Sequence, residues 1–186
     1  MGTSNPKWPG LLGLAFYAAH GTVHVLRGHP EDLLWVCHLA SLAVGIGWLS
    51  SSPTANAIGV MWLSFGLPLW ALDLATGGEF FPTSALTHVG GLALGVLGVR
   101  RFGMPPGAWW KAILALAAVQ QLCRWTTPVE ANVNLSRAVW KGWERAFPSY
   151  PAYCALLLTG CGALFFAVER VTRMRARRSD DAVPAR

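Results

Sequence analysis

Charge is what this chain has least of. Lysine, arginine, aspartate and glutamate make up only 13% of its 186 residues, too few to cover the surface of an ordinary soluble domain. It also lacks a disulfide framework: Cys37, Cys123, Cys154 and Cys161 sit in or beside apolar runs without framework spacing, so bridges are not expected. The opening MGTSNPKWPG has no short apolar core followed by a cleavage site, so the first apolar run is expected to stay as a membrane span. Pro6 stands where a myristoylation signal needs Ser or Thr. No internal repeat or matched pair of broken helices is evident, which ranks transport low. Lys111 is the only lysine inside an apolar run and lies near its cytoplasmic end, so a retinal-type Schiff base is not expected.

What is abundant is hydrophobic. Apolar residues make up 53%, mean hydropathy is +0.39, and there are ten tryptophans, the residues that collect at headgroup level. A bilayer core of ~30 Å needs ~20 apolar residues in a helix, and six stretches come close: 9–27, 32–50, 54–75, 83–100, 107–125 and 150–170. Turn chemistry at Gly28-His29-Pro30, Ser50 to Pro53, Gly77 to Pro82 and Gly103 to Pro106 separates the first five. The expected fold class is therefore all-α, a polytopic bundle of about six transmembrane helices forming one domain over 1–176, with a disordered basic tail over 177–186. The 126–149 connection, with Trp140 and Trp143 among Arg137, Lys141 and Arg145, reads as an interfacial amphipathic segment.

A net charge of +6 raises the question of nucleic acid, but Arg100-Arg101 and the Arg170–Arg178 cluster flank spans, where basic residues set topology and meet anionic lipid. The expected partners are membrane lipids, with no nucleic acid. The expected location is the plasma (inner) membrane, with both termini cytoplasmic.

With that orientation, the intramembrane polar groups fall in one leaflet. His20 and His24 end the first span, Cys37 and His38 begin the second, and His88 begins the fourth. Asp73, Gln120, Gln121, Tyr150 and Tyr153 arrive at the same level. Such groups cost about 2.5–3.5 kcal/mol each when they are charged at mid-bilayer, so a convergence of them marks a site. Tyr17, His20, His24 and Arg27 share one stripe of the first helix. Gly91, Gly95 and Gly98 form a small-residue seam on the fourth, and Cys37, Ser41 and Gly45 one on the second. Because His38 is ~100° around the helix from Cys37, the two are not expected to share one pocket.

Two chemistries compete for these residues. Cys37 and His88 offer a thiol nucleophile with an imidazole base, with Tyr17 and Asp73 as substrate contacts and Asn132 and Asn134 as oxyanion donors from the long connection. That reading requires no cofactor. Alternatively, His20, His24, His38 and His88 hold zinc, copper or haem, since His-x3-His presents two imidazoles on one helix face. A non-catalytic membrane subunit or transporter is the third reading.

The order of LLWVCHLASL with Cys37, FFPTSALTHVGG with His88, EANVNL with Asn132 and Asn134, and FPSYPAY before Cys154 resembles the YwaF-like family of integral membrane proteins. That family includes an animal acyltransferase acting on ether phospholipids. The resemblance covers roughly residues 31 to 168. It implies acyl transfer, with Cys37 as acyl-accepting nucleophile and His88 as its base, and makes a membrane-embedded lipid-modifying enzyme the first expectation.

Overall fold

The structure is a computed structural model that describes residues 5–147 and 149–181, with side chains through 176. Among the described residues it is helical without strands. The six long helices are α1 (Trp8–Leu26), α2 (Val36–Leu49), α3 (Pro53–Ala75), α4 (Pro82–Phe102), α5 (Ala108–Thr126) and α6 (Tyr150–Asp181). Each matches one of the six apolar stretches. Three are long and apolar enough to cross a membrane: Pro53–Ala75, Pro82–Phe102 and the Tyr150–Ala176 part of α6. The other three fall short for identifiable reasons. The 14 residues of α2 span only ~21 Å, while the histidines of α1 and the Lys, Gln and Arg of α5 dilute their hydropathy. Large apolar side chains stand exposed on several helices, among them Leu11 at 59%, Leu114 at 60% and Leu156 at 58%, as faces in contact with lipid do.

Helix α3 is the centre, touching α2, α4, α5 and α6, while α1 lies against α2 and α4. The helices approach closely through small residues. A β-carbon on Gly13 would come within 3.0 Å of the Gly45 backbone, and one on Gly95 within 2.6 Å of Val60. Both expected seams are therefore used: Gly91 packs on Ser41, Gly95 on Val60 and Gly98 on Asn56. Buried side chains then bond backbone carbonyls of neighbouring helices, where no water competes. Ser41 Oγ donates to Thr87 O at 2.8 Å, Trp48 Nε1 to Leu94 O at 3.0 Å, Asn56 Nδ2 to Gly95 O at 2.9 Å, and Trp62 Nε1 to Ala112 O at 3.1 Å. The Thr87 carbonyl lies in a wide π-turn, Leu86–Gly90, of the kind that recurs at functional sites.

Several features depart from the sequence reading. Among its described residues past Thr126, the 126–149 connection is irregular apart from a 3-10 turn, Val133–Leu135, where Asn132, Asn134 and Leu135 take positive φ and asparagine side chains bond nearby backbone instead of leaving it to a helix. The last helix continues to Asp181, past the expected start of the tail at 177, and 182–186 lie outside the described residues. One buried carboxylate lies away from the leaflet in which the polar groups were expected to fall. Glu169 is 5% exposed and accepts from Gly107 N at 2.9 Å and Trp109 N at 3.1 Å, capping the start of α5 where helix N–H groups lack partners.

Candidate metal centre

Glycine and proline set the geometry. Gly28, at φ +83°, ends α1 in a conformation that penalises a β-carbon, and Pro30 opens a 3-10 turn, Pro30–Leu34. That turn carries Asp32 back over the end of α1 and the start of α2. His20 and His24 face it from α1, and His38 from α2.

The three imidazoles meet at their Nε2 atoms. His20 Nε2 is 3.1 Å from His38 Nε2 and 3.3 Å from His24 Nε2, and one ligand nitrogen from each ring lies within 4.8 Å of the other two. Every opposite nitrogen has an oxygen partner. His24 Nδ1 sits 3.0 Å from Asp32 Oδ2, His38 Nδ1 2.8 Å from the Asp32 carbonyl, and His20 Nδ1 3.0 Å from Thr83 Oγ1. A carbonyl or carboxylate only accepts, so His38 and His24 carry their hydrogens on Nδ1, and as neutral rings they point Nε2 lone pairs at His20. One N–H on His20 Nε2 can serve only one of them well. A cation in the middle serves all three. Tetrahedral ligands at ~2.0–2.1 Å from zinc stand ~3.3–3.4 Å apart, close to the two distances from His20 Nε2. His20 is 2% and His38 7% exposed, so two of the three rings are buried while His24 is partly open.

These residues form one wall of a cavity of about 310 Å³, at the level where the sequence reading gathered the polar groups. Cys37, His38, Asp73, His88, Gln120 and Asn134 all line it. Cys37 and His38 thus share a pocket after all, on different walls: His38 turns to His20, whereas Cys37 lies against Gly66 of α3. His88 stands apart from the cluster, its ring centre 6.1 Å from that of His38 and stacked on Trp70 at 5.0 Å. Its Nδ1 donates to Ser84 O at 2.9 Å. Among the described residues no hydrogen bond joins Cys37 to His88.

The asparagines serve the scaffold. Asn134 Oδ1 accepts from Val36 N at 2.9 Å, and its Nδ2 donates to Leu34 O at 2.7 Å and toward Cys123 Sγ at 3.2 Å. That clamps the start of α2 and leaves no amide hydrogen for an oxyanion. Asn132 ties down its own loop, accepting from Arg137 N and Ala138 N at 3.0 Å. Tyr17 lies outside the cavity, against a shallow groove with Leu33, and its hydroxyl donates to Leu33 O at 3.5 Å. Asp73 stands exposed at the mouth. Arg27 pairs with Glu79 at 2.8 Å and covers Phe81; its hydrogen bond holds the Glu79 carboxyl below the usual range.

Sequence reading missed Asp32 and Thr83. The signal for Asp32 was its place in the short turn between His24 and His38, where a carboxylate can orient imidazoles. Thr83 had none, being 63 residues from His20. No family model matches the chain, and no curated protein or solved structure matches it either.

Proposed function

We propose that the chain is a six-span plasma-membrane protein with both termini cytoplasmic, and that it binds one transition-metal ion, zinc or copper, through His20, His24 and His38. The observation that carries this reading is the convergence of three Nε2 atoms whose opposite nitrogens are each held by an oxygen, the arrangement that fixes tautomer and ring orientation around a metal. Three imidazoles would leave a tetrahedral ion one position open, as catalytic sites do, and all three histidines line the cavity. Haem fits less well. The three rings pack with centres 4.4–5.2 Å apart, leaving no slot for a macrocycle, and Trp70 covers one face of His88.

Acyl transfer through Cys37 and His88 has less support, since the thiol has no hydrogen-bonded base and both asparagines are committed to backbone groups. Elemental analysis of the purified protein is the test. The expected result is close to one zinc or copper per chain, lost in His20→Ala and His38→Ala and kept in Cys37→Ser. Metal-free protein that takes up neither ion on titration overturns the proposal.

A further inference from the structure

Polar atoms left over in the cavity wall describe what it holds. His88 donates through Nδ1 to the Ser84 carbonyl, so its Nε2 carries a lone pair. That atom has no partner among the described residues and is not sealed from the cavity. Gln120 donates Nε2 to the carbonyls of Asn134 and Leu135 at 3.2 and 3.3 Å, which turns its Oε1 away from them as a second open acceptor. Asp73 puts a carboxylate at the mouth. These groups ask for a donor and disfavour an anion. Trp70 and Trp140, also in the wall, have indole N–H groups without an acceptor among the described residues, and these ask for one. A hydroxyl is both.

Much of the rest of the wall is apolar, with Phe65, Leu69, Leu116, Leu157 and Leu158 among the lining residues beside Ser84, Asn134 and, as a second carboxylate, Glu79. A cavity of 310 Å³, many times what a single water needs, has room for a hydrocarbon chain of medium length. We infer that the cavity binds a single-chain lipid alcohol, its hydrocarbon tail among the leucines and its hydroxyl between the three-histidine cluster and His88. The hydroxyl hydrogen goes to His88 Nε2, and the oxygen turns to the metal. The role of the metal rests on the proposed function, whereas chain binding and the preference for a hydroxyl do not.

The test uses the full chain in detergent with bromine-tipped decanol, decanoate and decane as quenchers of tryptophan fluorescence, after chelator treatment and again with zinc added. Trp35, Trp70 and Trp140 all line the cavity. Saturable quenching by the alcohol is expected, with affinity about tenfold above the carboxylate and the alkane, the scale of one buried hydrogen bond. In His88→Phe, which keeps the ring on Trp70, the alcohol falls to the level of the alkane. Leu158→Trp fills the tail space and abolishes quenching by all three; Leu158→Phe, a smaller intrusion, weakens it, and thermal unfolding reports whether either variant is folded. A carboxylate that binds as well as the alcohol overturns the inference, as does undiminished quenching in folded Leu158→Trp. If the alcohol preference persists in protein that takes up no zinc, the metal reading fails and the chain site stands.

Discussion

Removing the Asp32 carboxylate is the sharpest perturbation of the cluster, because it touches no ligand atom. Oδ2 lies 3.0 Å from His24 Nδ1, and Oδ1 accepts from Trp35 Nε1 at 2.9 Å. The backbone carbonyl that holds His38 survives any substitution. Asp32→Asn keeps the shape of the turn but replaces an obligate acceptor with a group that also donates, so His24 is free to take the tautomer with hydrogen on Nε2, which cannot ligate. The two side chains are 16% and 25% exposed, sheltered enough for a charge-assisted hydrogen bond of about 1.5–3 kcal/mol. Loss of such an orienting partner lowers metal affinity ~10–100-fold, or ~1.4–2.7 kcal/mol. A chelator competition titration with zinc measures this directly. The expected order is wild type tightest, Asp32→Asn intermediate, and His24→Ala, which deletes a ligand, weakest. Wild-type affinity in Asp32→Asn would refute the argument that the carboxylate orients the site.

Other consequences concern the scaffold. Gly95→Val drives a branched side chain into Val60, 2.6 Å from where its β-carbon must lie, and should cost ~1–3 kcal/mol as overpacking, read as a lower unfolding temperature in detergent. Asn134→Ala removes the bonds to Val36 N and Leu34 O, at about 0.5–1.5 kcal/mol for each; chemical denaturation should show the loss, and unchanged stability would mean the clamp is not made. Glu169→Ala removes the cap on α5 and should lower stability by ~1–3 kcal/mol while leaving metal stoichiometry at the wild-type value, since it lies at the other end of the bundle. A variant that loses metal together with the cap would show the two ends to be coupled.

Much of this was legible in the sequence because the governing physics is local. Each apolar run became one helix, turn residues marked the breaks, and the depth argument brought His20, His24, His38 and His88 to one level. The glycine seams were readable for the same reason, since only small residues let helix backbones approach. What failed was direction and partnership. Tyr17 shares a stripe with His20 on a helical wheel, yet it faces Leu33. Cys37 and His88 reach the same cavity without meeting, because the π-turn at Leu86–Gly90 and the stack on Trp70 fix where the imidazole points. Asn134 reads as a free polar group in a loop, but its amide is used up holding the start of α2 from about a hundred residues away in sequence. Such pairings depend on the tertiary fold, which spacing along one chain does not encode.

X-ray absorption at the metal edge reads the ligands of the three-histidine site. With one equivalent of zinc bound, the expected first shell is nitrogen and oxygen at ~2.0–2.1 Å, with the outer-shell scattering of three imidazoles, falling to two in His24→Ala. A sulfur contribution at ~2.3 Å that vanishes in Cys37→Ser would contradict it, because the thiol and not the third histidine would then hold the ion.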